Sequence, residues 1–505
     1  MEWTLGSILP AAAKRFGTKP ALIFKDRSLS FAELDKLANR LAAGLQALGV
    51  GPGDKVTLYS VNRWEWVVSY YAIHQVGAVA IPINVMLTAE EVAYVANDSG
   101  SRIVLASGDK GEALLSVRER CPIEHIVLFG GEPLPGTQRF ESLLDNATPF
   151  TPVTADPDAL STIAYTSGTT GHPKGAMLSH RAILSSAAGM ALMHVRTEHD
   201  TGVTALPCSH VYGNVTLNGA IMYGMTLVII QKFNEEEVLR AVQTHRATIL
   251  DGVPTMYMYL LAYPDLHKYD VSSLKRCAVG GQTMPVAKAR AVEEAFGCPM
   301  LEVWGMTELG GVATTNPFYG ENRHGSIGLG EPGMTFRIAD PEDASKTLPP
   351  GEVGELMARG NMVMQGYYGN EKATRDTIEP DGWLHTGDLG KMDDGGYIYI
   401  VDRKKDLIIT GGFNVYPAEL ERVVSGHPAV AMVGVGPKLD DLKGEVAKAY
   451  VVLKPGVTAT ADDILAYCRE HLAAYKVPRS VQFVADLPKT SSGKIMRREL
   501  KTLDQ

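Results

Sequence analysis

The 505-residue sequence predicts an α/β protein with a large N-terminal domain and a smaller α+β domain behind it. Short apolar runs recur with amphipathic helical segments between them, the pattern of parallel strands joined by crossover helices. From about Glu352 the texture changes to short strands and Gly-rich turns, which reads as a small β-rich subdomain. A charged break at Asp402–Asp406 (D-R-K-K-D) precedes a segment with its own strands and helix, so the boundary falls between 1–404 and 405–505. A chain of this length exceeds what one core organises.

The elements follow in order. Trp3 to Ala13 is apolar, but Glu2 precedes it and Lys14-Arg15 follow it, the wrong charge order for a secretion signal. It is read as a first amphipathic helix. Leu29-Ser30-Phe31 then predicts a strand end and a Ser30 N-cap, with Glu33 at capping-box distance and Leu34, Leu37, Leu41, Leu45 and Leu48 on one helical face. Gly51–Asp54 is a turn, Lys55–Ser60 a strand, and Trp64–Gly77 a helix. Ala78–Ile83 and Ile103–Ala106 read as buried strands, Gly130–Gly136 as a loop and Thr151–Asp158 as a linker. Apolar strands recur at Val203–Leu206, Thr226–Ile230, Ile249–Val253, Arg276–Val279 and Met300–Trp304. Beyond the charged break come strands at Val430–Val435 and Ala449–Leu453, a helix at Ala461–Leu472 and a polar tail.

Two stretches mislead by pattern. Thr201 to Gln231 carries no formal charge, yet Pro207, His210, Asn214, Asn218 and four glycines interrupt it. A buried strand–loop–helix–strand fits better than a bilayer span. Gly328–Gly333 spells G-x-G-x-x-G, but Pro332 blocks the helix that a dinucleotide loop must open.

An apolar fraction of 45% with 21% charged residues is the composition of a soluble globular enzyme. A net charge of −9 without a basic run argues against nonspecific nucleic-acid binding. Cys121, Cys208, Cys277, Cys298 and Cys468 lie far apart with no metal-ligand spacing, so reduced thiols in a cytoplasmic protein are expected.

The stretch that bears most on function is Tyr165–Gly175, Y-T-S-G-T-T-G-H-P-K-G. Its glycines let backbone N–H groups approach a ligand, its hydroxyls add donors and Lys174 adds a charge, a combination suited to anionic oxygens. It is not a Walker loop: His172 and Pro173 separate Gly171 from Lys174, and Gly175 stands where Ser or Thr is required. Pro173 also disfavours a helix start at His172. The alternative is an ordinary surface hairpin.

Taken with five later motifs, this stretch resembles the phosphate-loop signature of the adenylate-forming superfamily, which includes acyl-CoA synthetases, coumarate–CoA ligases, luciferases and adenylation domains. The others are W-G-M-T-E (Trp304–Glu308), G-E-L-M-A-R-G (Gly354–Gly360), T-G-D-L-G (Thr386–Gly390), D-R-K-K-D-L-I (Asp402–Ile408) and P-K-T-S-S-G-K (Pro488–Lys494). The resemblance covers essentially the whole chain. It implies an N-terminal domain of two α/β sheets plus a distorted β-barrel, and a small mobile C-terminal domain. The implied chemistry joins a carboxylic acid to coenzyme A: attack on the ATP α-phosphate gives an acyl-adenylate and pyrophosphate, and the thiol then displaces AMP.

The resemblance also implies roles. Thr166, Ser167, Gly168, Thr169, Thr170, Gly171 and Lys174 would hold the β- and γ-phosphates, with Thr166 and Glu308 on Mg²⁺. Thr307 would meet the α-phosphate. Gly281, Gln282, Glu302, Trp304 and Gly305 would line the nucleotide site, Trp304 standing where relatives often stack a Tyr on adenine. Asp388 would take the ribose hydroxyls with help from Arg403. Lys494 would bridge the substrate carboxylate and the α-phosphate, then leave as the C-terminal domain turns about Lys405. Gly411, Gly412 and Phe413 would face the pantetheine channel.

For the acid, L-P-C-S-H-V-Y-G (Leu206–Gly213) matches the segment gating the acyl pocket, with His210 near the carboxylate and Val211 and Tyr212 beside it. Gly280, Met306, Gly310 and Gly311 would line the rest, and small residues there suggest a roomy, uncharged pocket. A medium- or long-chain fatty acid or an aryl acid is expected. Arg276 keeps a malonate-like dicarboxylate open. Rivals are a stand-alone enzyme loading a carrier protein and, less favoured, a luciferase-like monooxygenase. A small-molecule acid is the expected partner, with no nucleic acid, no transmembrane segment and a possible homodimer.

Overall fold

The computed structural model describes residues 3–131, 134–146, 148, 150–166, 173–404, 406–410, 413–440, 444–491 and 493–504. A nine-stranded sheet runs in the order Leu329–Gly330, Gly311–Thr315, Met300–Met306, Arg276–Gly280, Ile249–Gly252, Thr201–Thr204, Thr226–Ile229, Pro20–Phe24, Arg27–Ser30. Its middle, from Met300–Met306 to Pro20–Phe24, is parallel. An eight-stranded sheet runs Gly366–Tyr367, Lys174–Ser179, Leu160–Thr166, Val79–Pro82, Lys55–Tyr59, Ile103–Ser107, His125–Phe129, Gln138–Arg139. Only Lys174–Ser179 runs against the others, pairing antiparallel on both sides.

Helices between these sheets have no polar face to spare. Every residue from Glu65 to Gln75 of the helix Trp64–Gln75 is buried, as is Tyr212–Ile221 of the helix Val211–Tyr223. Asn214 and Asn218, which argue against a bilayer span, accept hydrogen bonds from Tyr70 and Tyr71 at 3.1 Å each. Asn218 Nδ2 donates in turn to Asn214 O at 3.0 Å and Asn214 Oδ1 at 2.8 Å, so the two amide oxygens and the Asn218 nitrogen are paired inside the core. No helix among the described residues is long and apolar enough to cross a membrane. The first helix is Leu5–Phe16, with Leu5, Ile8, Leu9 and Ala12 on its buried stripe. The Ser30–Glu33 capping box opens the helix Phe31–Ala47 as its sequence predicts.

The expected distorted barrel takes the form of a four-stranded antiparallel sheet: Met334–Ala339, Gly354–Gly360, Leu384–Met392, Ile398–Arg403. It therefore begins before Glu352, where the turn-rich texture suggested. A Gly328–Ile398 bridge ties it to the nine-stranded sheet, and the G-x-G-x-x-G run lies in strand and turn, not at a helix start. The strand expected at Val203–Leu206 is Thr201–Thr204 and stops short of Leu206.

The C-terminal unit has a separate sheet (Phe413–Val415, Ile408–Thr410, Gly444–Leu453, Val430–Asp440, with Ser480–Phe483 alongside). The helices Pro417–Ser425 and Ala461–His471 cover a core of its own around Val415, Leu420, Val435 and Ile464. The first of these helices escaped the sequence reading although Pro417 at its first turn is a start signal. The polar tail is ordered: Leu500 is buried against Met432, Tyr450 and Leu487. Cys277 and Cys298, distant in sequence, bring their sulfurs to 3.7 Å, because Cys277 N–H donates to Pro299 O across neighbouring strands. Among the described residues no cluster of His, Cys, Asp and Glu could hold a metal by itself.

Candidate active site

The strands Ile249–Gly252, Arg276–Gly280 and Met300–Met306 are parallel, so their carboxyl ends share one edge of the sheet, the place where open α/β sheets bind ligands. Beyond that edge lie Thr255 in the first turn of the helix Pro254–Ala262, Gly281-Gln282 in a loop and Thr307-Glu308 in a tight turn. Gly305 makes the last of these possible. A Cβ there would lie 1.7 Å from Gly311 O, so only glycine lets the Met300–Met306 and Gly311–Thr315 strands close their hairpin.

Glu308 is buried in the turn Thr307–Leu309 and accepts a hydrogen bond from Tyr367 at 2.8 Å. The same Tyr367 ring lies 5.2 Å under the Lys174 ammonium. Thr166 pairs directly with Lys174 across an antiparallel hairpin, Leu160–Thr166 with Lys174–Ser179. The strands that flank the glycine-rich stretch therefore form a hairpin. Ser167, Gly168, Thr169, Thr170 and Gly171 lie outside the described residues, as do Lys405, Gly411 and Gly412; Phe413 begins a short strand. Tyr367 joins the hairpin lysine to the acidic turn, yet nothing in its own sequence neighbourhood signals this.

A second cluster forms where Asp388 and Arg403 pair as direct strand neighbours. Arg403 Nε donates to Asp388 Oδ1 at 3.1 Å and Trp304 Nε1 donates to Oδ2 at 2.9 Å. The Trp304 ring packs edge-on against Phe336, with centroids 6.1 Å apart. Trp304 thus holds the carboxylate in addition to offering a ring face, a use of the indole N–H not anticipated from stacking alone. Burial pushes the Asp388 carboxyl up from its ordinary range, against the pull of Arg403 and Trp304.

Lys494 reaches this edge from the C-terminal unit. A Cβ on Gly281 would sit 2.8 Å from Lys494 Cε, which places the lysine stem against this loop, and φ +90° at Gly281 favours glycine there. Burial, reinforced by Arg403 and opposed by Asp388, lowers the Lys494 ammonium to about 8. His210 caps the helix Val211–Tyr223, its Nδ1 accepting the Tyr212 N–H at 3.2 Å. Burial first, and Lys494 second, lower it to about 3. The imidazole is therefore neutral at neutral pH. With Nδ1 an acceptor, its proton lies on Nε2, which makes that atom a donor.

Gln282 points to the C-terminal unit: its Nε2 donates to Ile495 O at 3.3 Å and its Oε1 accepts Ile495 N–H at 3.1 Å. The Glu302 carboxyl is buried, accepts Met284 N–H at 3.0 Å and rises to about 7 through burial. It braces the Gly281–Pro285 loop from behind.

Two expectations about the acyl pocket change. Cβ atoms on Gly280 and Gly311 would meet Val303 Cγ2 and Val215 Cγ2 at 2.4 Å each, and one on Gly310 would meet Ala182 O at 3.0 Å. These glycines mark close packing of protein on protein, so they do not make the pocket roomy. Met306 ends its strand beside Gly311. Arg276 starts its strand at the edge away from the site, donates to Asp200 at 2.8 Å and to Val195 O at 3.1 Å, and lies over the Phe318 ring. It is a buried structural ion pair, not a free cation for a second carboxylate.

Comparison with known proteins adds to this geometry. The family model described as "AMP-binding enzyme" matches residues 9–368, and the "AMP-binding enzyme C-terminal domain" model matches residues 419–494. The chain is 34% identical to a long-chain-fatty-acid–CoA ligase of Bacillus subtilis (strain 168), over 98% of this chain and 94% of that protein. It is 35% identical to a feruloyl-CoA synthase of Amycolatopsis sp, over 94% of each. The crystal structure of the anthranilate CoA ligase AuaEII in complex with anthranoyl-AMP superimposes with a TM-score of 0.94 at 30% identity, covering 99% of this chain and 97% of that one.

Proposed function

We propose, from the premise that the chain belongs to the AMP-binding enzyme family and is an AMP-forming acyl-CoA ligase, that its acid is a monocarboxylic acid with an apolar body, either a medium- or long-chain fatty acid or an aryl acid. The observation that carries this reading is His210. A neutral imidazole with its proton on Nε2 beside Lys494 offers one donor and one cation to a single carboxylate. The engagement of Arg276 by Asp200 removes the residue that kept a dicarboxylate open. Fatty and aryl relatives, the B. subtilis ligase and AuaEII, support the two classes equally.

In this reading the carboxylate attacks the ATP α-phosphate between Lys494 and Thr307, and a coenzyme A thiol displaces AMP. Lys174, with the hairpin loop, steadies the departing pyrophosphate. Two anions meet in the first step, so fixed positive charge lowers its barrier more than a protein nucleophile would. Glu308 and Thr166 are hard oxygen donors that suit Mg²⁺, which typically takes one or two carboxylates and completes its shell with substrate phosphates; when bound it would neutralise phosphate charge. Lys494 enters with a C-terminal domain, 405–505, that turns about Lys405 and vacates the site for the thiol.

The test is AMP release over a panel containing octanoate, palmitate, benzoate, ferulate and malonate, with coenzyme A present or omitted. Turnover with a fatty or aryl acid, dependent on coenzyme A, is expected. Preference for malonate, or adenylation with no transfer to coenzyme A, would overturn the reading.

A pH prediction follows from Lys494. Its ammonium in the free enzyme titrates near 8, and kcat/KM reports the free enzyme. Protonated lysine is the useful form, so kcat/KM for ATP in acid-dependent pyrophosphate exchange should fall as pH rises through about 8. Bound ATP favours the charged lysine, so kcat should hold to higher pH. A kcat/KM flat to pH 10 would contradict the assignment.

A further inference from the structure

We propose that Thr255 and Gln282 form a two-point latch that holds the Lys494 loop in the adenylate-forming geometry and lets go before thioester formation. The inference rests on the reading that Lys494 serves the first half-reaction. Neither residue has a chemical group that the reaction consumes. Both spend their polar atoms on the backbone to either side of Lys494. Thr255 Oγ1 donates to Gly493 O at 2.7 Å, while the Gln282 amide makes its reciprocal pair with Ile495 at 3.3 and 3.1 Å.

The two anchors belong to rigid places. Thr255 is 2% exposed and sits in the first turn of the helix Pro254–Ala262, with Pro254 fixing the turn before it. Gln282 follows Gly281, the residue against which the Lys494 stem rests. The loop they grip is itself tight: Thr490 N–H donates to Lys494 O at 2.8 Å, Gly493 N–H donates to Thr490 O at 2.9 Å, and Lys494 N–H donates to Thr490 Oγ1 at 3.1 Å. Gly493 has φ +82° and a Cβ there would lie 2.8 Å from Thr255 Oγ1, so the approach is built around glycine. Held on both flanks, the main chain from which the Lys494 side chain projects is fixed before substrate arrives, which is where a positioning residue lowers a barrier.

All three contacts are neutral hydrogen bonds reaching only to the C-terminal unit. Neutral bonds are individually weak, so such a latch can hold and still release. Its loss should therefore slow the step that needs Lys494 and leave the other step intact.

The experiment measures both half-reactions separately: acid-dependent ATP–pyrophosphate exchange, and conversion of a synthetic acyl-adenylate to the coenzyme A thioester. Thr255→Val, nearly isosteric, is expected to lower kcat for exchange about 10-fold with KM for ATP little changed, the scale of one lost hydrogen bond. The thioester step should be unchanged or faster. Thr255→Ser, which keeps the hydroxyl, should restore exchange, and Thr255→Val with Gln282→Leu should lower it by about 10²-fold. Unchanged exchange in Thr255→Val, or equal loss of both half-reactions, overturns the latch. Lys494→Ala runs beside them. If it leaves exchange intact, the underlying reading of Lys494 fails; if it abolishes exchange while Thr255→Val and the double variant do nothing, the latch alone fails.

Discussion

Replacing Lys494 with alanine is expected to lower acid-dependent pyrophosphate exchange by roughly 10³-fold or more, while thioester formation from a supplied acyl-adenylate survives. The magnitude comes from the position. A single preorganised neutral donor already contributes 10²–10³-fold in comparable charge-developing steps, and here a full charge is desolvated within electrostatic reach of His210 and Asp388. The asymmetry comes from chain connectivity. Lys494 belongs to a unit with its own core, whereas Asp388 and Trp304 lie in the sheets of the N-terminal part and Thr307 in the turn that follows Trp304. Lys494→Ala removes a charge that burial disfavours and buries no new polar atom, so thermal unfolding should move little. Parallel loss of both half-reactions would show that Lys494 holds the site together and does not serve one step.

Legibility in the sequence followed the range of the forces involved. Strands such as Ile249–Gly252 and Arg276–Gly280 are buried on both faces, so their apolar runs declared them within a residue or two. The Ser30–Glu33 box is a contact between near neighbours and was equally readable. Motif residues were legible because their order survives along the chain. What the sequence hid was long-range partnership. Tyr367 joining Glu308 to Lys174, Trp304 donating to Asp388, and Gln282 gripping Ile495 each join residues brought together only by folding. Arg276 and the pocket glycines misled for a related reason. An arginine near a motif looks available until its buried Asp200 appears, and a glycine looks like empty space until the Val215 side chain fills it.

Asp388→Ala should cost the enzyme about 10–100-fold in kcat/KM for ATP, the range set by losing hydrogen bonds to a charged group at about 1.5–3 kcal/mol. Asp388 is 4% exposed and accepts from both Arg403 and Trp304. The substitution would leave the indole N–H without its acceptor and remove the proposed ribose acceptor, while the half-exposed Arg403 remains free to meet water. Trp304→Phe separates these effects. It keeps a ring against Phe336 and removes only the N–H donated to Oδ2. If Trp304 serves chiefly by stacking, Trp304→Phe should retain ATP affinity. If its hydrogen bond orients Asp388, Trp304→Phe should lose affinity for ATP and for 2′-deoxy-ATP by different factors, because a misaligned carboxylate no longer distinguishes the ribose hydroxyl. Burial raises the Asp388 carboxyl, so protonation should reach it at a higher pH than an ordinary aspartate. ATP affinity should therefore decline on the acid side in the native enzyme, and that limb should vanish in Asp388→Ala. An acid limb unchanged by the substitution would assign it to another carboxyl, with the buried Glu302, near 7, the first to examine.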